Sequence, residues 1–123
     1  MAHILITDSD SVLMPTMASY LAWLGLGVDT EDDSSRVMAR LMSKKYDFLI
    51  CSELAYPLDG YTLCKMIRAS GQKNLKNMNI MFVAPEEPEI DKSLFLKKER
   101  IYFMNKYENA SVWHEKINMI LGR

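Results

Sequence analysis

The sequence predicts one α/β domain: a parallel β-sheet with helices packed on both faces. Three observations carry this. Short apolar runs alternate with longer stretches of helical period along the chain. The runs are apolar through their middles, as strands covered on both sides are. A chain of 123 residues is one domain's length, with enough material for a real core.

The elements follow in order. His3 to Thr7 reads as a buried strand, stopped by the polar Asp8-Ser9-Asp10. Leu13, Met17, Leu21 and Leu24 recur at helical spacing, and Gly25 and Gly27 end that helix. Pro15 then has to lie in the first turn, where its missing N–H costs nothing. Val28 to Thr30 is a short second strand. Asp33 or Ser34 can cap a helix carrying Val37, Met38, Leu41 and Met42, with Lys44 and Lys45 at its negative end. Asp47 to Ser52 is the third strand. After a loop containing Pro57, Tyr61, Cys64 and Ile67 mark the next helix, closed near Gly71. Ile80 to Ala84 is the fourth strand, broken off by Pro85 and Pro88. Ile90, Leu94 and Leu96 mark a shorter helix ending in Lys97 to Arg100. Ile101 to Met104 is the fifth strand, and Val112, Trp113, Ile117, Ile120 and Leu121 lie on the closing helix. Strands alternating with helices in this way make a parallel sheet joined by crossovers.

Composition narrows the function. Apolar residues at 49% and charged residues at 25% are those of a soluble globular protein. A net charge of -1 leaves no basic excess for a phosphate backbone, which argues against nucleic acid as a direct partner. No apolar run approaches the roughly 20 residues that cross a bilayer. Met1 to Leu5 lacks the basic leader and long apolar stretch of a secretory signal. A cytoplasmic protein without a membrane partner is expected. Cys51 and Cys64 lie among apolar residues and read as buried free thiols. The ten methionines read as core filling.

In open sheets of this kind a site lies beyond the carboxyl ends of the strands, where the strand order reverses. The loops concerned begin at Asp8, Ser52, Ala84 and Asn105. At these loops the sequence resembles the response-regulator receiver domain, and the resemblance spans essentially the whole chain. Ile4 to Asp10 is similar to the family's first strand and its acidic end, and Tyr46 to Ser52 to its third strand. Asp59-Gly60-Tyr61 is similar to the aspartate-glycine pair that opens the third helix. Ser52 and Gly60 keep the family's spacing from phosphoacceptor to glycine. The resemblance implies a flavodoxin-like three-layer sandwich, with sheet order 2-1-3-4-5 and five helices.

It also implies a chemistry that this sequence lacks. A working receiver needs a nucleophilic carboxylate, an acidic pair for magnesium, and a hydroxyl and a lysine for the phosphoryl charge. Here Ser52 stands at the phosphoacceptor position, a neutral hydroxyl with no base beside it in the sequence. Asp8 matches the first acid, but Ser9 replaces the second. Ala84 stands at the hydroxyl position and Asn105 at that of the lysine. Lys106, one residue on, restores a lysine if the alignment slips, and Glu53 is a carboxylate next to Ser52. Tyr56 holds the place of the family's proline, with Pro57 following.

The expected function is therefore that of a pseudo-receiver. It binds another signalling protein in two-component or phosphorelay signalling, independently of phosphorylation, with no catalytic residue, metal or cofactor. Two alternatives stand beside it: a phosphorylatable receiver using Glu53 or Asp8, and a small-ligand sensor in the emptied pocket at Asp8, Ser52 and Ala84. Asp8 and Asp10 read more simply as caps of the following helix. His3 and His114 have no metal-ligand spacing. Tyr102 stands where receivers keep a switching aromatic, here expected to stay inward beside the small Ala84. The resemblance places the partner face on Lys97, Lys98, Arg100, Tyr102, Trp113 and Met119, with aromatic and Met residues at its centre and a basic rim. Trp113 reads equally as an exposed anchor or as core. The oligomeric state stays open.

Overall fold

The computed structural model describes residues 2–10, 13–86 and 100–122. Five parallel strands form one sheet: β1 (His3–Thr7), β2 (Gly27–Glu31), β3 (Phe48–Ser52), β4 (Asn79–Ala84) and β5 (Ile101–Asn105). Their order is β2-β1-β3-β4-β5, as expected. The helices are α1 (Leu13–Trp23), α2 (Val37–Ser43), α3 (Gly60–Ala69), a one-turn α4 (Lys73–Lys76) and α5 (Ala110–Leu121). A 3₁₀ turn, Ser34–Arg36, leads into α2.

Strand alternation splits the core in two. Leu5, Leu49, Cys51, Ile80, Phe82 and Ile101 face α2, α3 and α4, packing on Val37, Leu41, Leu63, Ile67 and Leu75. Ile4, Ile6, Phe48, Ile50, Met81, Val83 and Met104 face α1 and α5, packing on Leu21, Trp113, Ile117 and Ile120. β3 at the centre is buried along its whole length, which is why its sequence carries no polar alternation. The three layers of the expected sandwich are these two helical layers and the sheet.

Local signals set the boundaries. Pro15 is the third residue of α1, inside its first turn. Gly25 adopts φ +86 after α1, and Leu26 N–H donates back to Leu21 O at 3.3 Å. Asp33, Asp59 and Asn109 each accept a backbone N–H at the start of the 3₁₀ turn, α3 and α5. Gly122 closes α5 in the left-handed region. The Cys51 and Cys64 thiols are free and buried, and the Cys51 thiol donates to Gly60 O at 3.6 Å. The neighbouring Cys64 thiol, with burial, pushes the Cys51 thiol well above its ordinary range.

One expected element lies outside the described residues, and one observed element was not expected. The helix expected around Ile90, Leu94 and Leu96 lies outside the described residues, as do Lys97 and Lys98. The turn α4 was not expected, because Lys73-Asn74-Leu75-Lys76 has no apolar period. Its anchor is the fully buried Leu75, and the Arg68 guanidinium donates to the carbonyls of Leu75, Met78 and Arg100 to hold the turn against the sheet edge.

Candidate functional site

The site is built where β1, β3, β4 and β5 end. Their register places Thr7 beside Cys51, Ser52 beside Val83 and Ala84 beside Asn105. Asp8 follows β1 and is 4% exposed; Ser52 ends β3 and is 3% exposed. The Ser52 hydroxyl accepts Leu54 N–H at 3.0 Å and lies near enough to the Asp8 carboxylate to favour its charged form. Asp8 Oδ1 accepts Asp10 N–H at 2.9 Å. Ser52 thus has a carboxylate beside it, which the sequence did not reveal. The bond from Leu54 N–H holds the buried hydroxyl in place.

Burial is the largest influence on Asp8 and raises its carboxyl above the ordinary value of 3.8. The Asp10 N–H and the Ser52 hydroxyl pull it back, the negative charge of Asp10 adds to the rise, and Lys106 offsets part of it. The Lys106 ammonium sits 3.3 Å from Asp10 Oδ2 and its side chain is only 11% exposed. Lys106 N–H donates to Ala84 O at 2.8 Å, so β5 delivers this lysine into the acidic corner.

The remaining positions diverge. Ser9 is exposed and its hydroxyl donates to Asp32 O at 3.1 Å, away from Asp8. Ala84 is fully buried. Asn105 is tied up in its own loop, donating to Pro85 O at 3.0 Å and accepting Tyr107 N–H at 2.8 Å. Glu53 is exposed in the turn after β3, with its backbone N–H on Val83 O. Gly60 fits so closely that a Cβ there would lie 2.3 Å from Ser52 O. Only glycine permits that approach, which explains why the aspartate-glycine pair follows Ser52 at fixed spacing.

Several expectations are corrected here. Among the described residues the emptied pocket is not ligand-sized: the cavity lined by Asp8, Ser52, Met14, Met17, Val83 and Trp113 holds about 10 Å³, room for one water. Small-molecule sites start at about 300 Å³. Ala84 does not line it. Trp113 is core, 3% exposed and packed with Ile117 and Ile120, so it cannot anchor a partner. Of the other expected face residues, Arg100 and Met119 are exposed, and Tyr102 is half-buried against the α1–α5 cluster.

No protein-family model matches the sequence, and no curated protein matches it. Solved structures do. A two-component response regulator from Clostridium difficile matches with a TM-score of 0.83 at 24% identity, over 100% of this chain and 98% of that one. The Vibrio cholerae chemotaxis protein CheY4 matches with a TM-score of 0.85 at 18% identity, over 98% of each chain. The chain has the receiver fold. A third structure in this fold is the receiver domain of a Pseudomonas aeruginosa sensor histidine kinase. It carries a magnesium ion coordinated in its active-site cleft, and matches with a TM-score of 0.84 at 20% identity, over 99% of this chain and 98% of that one.

The residues here do not fit such an ion. Magnesium demands near-octahedral oxygen ligands, anchored on one or two carboxylates. Asp8 already accepts a hydrogen bond from Asp10 N–H, Ser9 points to Asp32, and Asp10 is paired with an ammonium. Among the described residues no three acidic, histidine or cysteine side chains converge on one point. The receiver fold is kept here around a corner whose cation is a lysine.

Proposed function

We propose that this domain is an atypical receiver. It acts in two-component or phosphorelay-type signalling by binding another signalling protein, without being phosphorylated and without catalysis. One observation carries the reading: the residue that replaces the phosphoacceptor is a neutral hydroxyl, buried and held by Leu54 N–H, beside a Lys106–Asp10 ion pair. A serine so placed lacks both the charge and the access to attack phosphorus. The displaced-acid alternative finds no support in Glu53, which is exposed, and the sensor alternative none in a water-sized cavity.

The test is incubation with acetyl phosphate and magnesium, followed by intact-mass measurement. The expected spectrum is that of the unmodified chain. An acid-labile adduct of one phosphoryl group would overturn the proposal, as would a magnesium-dependent spectral shift with beryllofluoride.

A further inference from the structure

The loops that close the carboxyl edge of the sheet carry more than the buried corner. Leu54 is 50% exposed, Tyr56 72% and Tyr107 76%. Exposed carboxylates alternate with them: Asp32, Glu53, Glu86 and Glu108. Hydrogen bonds join these loops into one strip. Asp33 bridges to Tyr56, Glu53 N–H donates to Val83 O, and Asn105 donates to Pro85 O. Among the described residues none of the four carboxylates is in an ion pair. Among the described residues, Lys106 is paired with Asp10 and Arg36 with Asp33. Solvated acids alone would be an ordinary surface. Two tyrosine rings and a leucine left open among them are not, because large apolar groups gain by burial and suit interface centres.

We propose that this rim docks an arginine-rich segment of a partner protein. The argument is complementarity of two kinds. Unpaired carboxylates attract and orient a basic segment. The flat faces of Tyr56 and Tyr107 accept guanidinium groups by stacking, which favours arginine over lysine. The proposal rests on the reading of the domain as a binding module, and gives that module a surface and a partner chemistry. It moves the interface from the β5–α5 face to the carboxyl edge.

The probe is a fluorescein-labelled octa-arginine peptide, with octa-lysine and octa-glutamate for comparison, read by anisotropy without magnesium or phosphodonor. Octa-arginine should bind tightest and octa-glutamate not at all. Amide shifts on titration should cluster at residues 53–58, 85–86 and 106–108. The Tyr56→Ala, Tyr107→Ala double variant should lose about tenfold in affinity, in the range of interface hot spots. The Glu53→Gln, Glu86→Gln, Glu108→Gln triple variant should weaken binding and flatten its salt dependence. Asp47→Asn, at an exposed acid before β3 on the opposite edge of the sheet, should leave binding unchanged. All these positions are exposed, and circular dichroism checks that each variant folds. Equal binding by parent and triple variant would overturn the proposal, as would equal loss in Asp47→Asn. So would shifts centred elsewhere, or self-association of the domain in sedimentation in place of peptide binding. Binding that appears only after treatment with acetyl phosphate would keep the rim but overturn the phosphorylation-independent reading. No binding under either condition would remove the rim and leave that reading standing.

Discussion

Asp8 holds its charge where water barely reaches, and burial sets the sign of its effect. A carboxyl raised by burial binds more protons in the folded state than in the unfolded chain, over the interval between its two pKa values. Stability therefore falls as pH rises through that interval. Below the ordinary value of 3.8 the penalty is absent; above the raised value it is complete. Asp8→Asn removes the titration and keeps an acceptor for Asp10 N–H. At pH 7 this variant should be at least as stable as the parent, and the difference should shrink as the pH falls toward 3.8. Urea midpoints at several pH values measure both. A variant less stable by more than about 1 kcal/mol at pH 7 would mean that the polar interactions lost with the carboxylate charge outweigh the relief from desolvation. Asp29 has the opposite sign. Hydrogen bonds from Lys44 and Tyr46 hold its carboxyl below the usual range, so its contribution is present at neutral pH and fades on acidification.

The join between β3 and α3 is the tightest contact between elements at the site. Gly60→Ala would drive a Cβ into the Ser52 carbonyl, a backbone atom that cannot step aside. It should cost roughly 2–3 kcal/mol, seen as a lower urea midpoint at unchanged slope. Gly71→Ala, with nothing near its Cβ, should change stability by a few tenths of a kcal/mol. This join was legible in the sequence because it needs one residue type at one spacing from the end of an all-apolar strand. Four of the five strands were legible for a like reason: each is a short apolar run with polar residues at its end, whereas β2, Gly27–Glu31, has Val28 as its one large apolar residue. The Lys106–Asp10 pair was not. Its partners are 96 residues apart, and whether they meet depends on side-chain reach from β5 toward the end of β1. The closeness of Asp8 and Ser52 was hidden likewise, since it joins two strand ends through the sheet order. The turn α4 was hidden because one buried leucine and a distant arginine hold it, and neither makes a pattern.

At the scale of the whole molecule the sheet separates two cores, and Trp113 is the largest side chain α5 gives to one of them. The apolar residues of α5 span a wide arc, so their spacing left Trp113 free to face either way. Trp113→Ala should cost about 3–5 kcal/mol and lower the melting temperature by roughly 10 °C. A change of only a degree or two in a thermal melt would mean that the core closes over the gap. The connections carry an electrical consequence as well. Each helix runs back against the strands, so the helix amino ends, with their partial positive charge, gather at the carboxyl edge. The rim acids lie at that edge, while Lys44, Lys45, Lys73, Lys76 and Arg100 are exposed at the other. Side-chain charge thus runs against the backbone dipoles, and the two arrays partly cancel outside the protein. With a net charge of -1, little field extends beyond the Debye length of about 8 Å. A cationic partner is therefore not drawn in from afar. It meets the domain by diffusion, and is turned into register only in the last few ångströms.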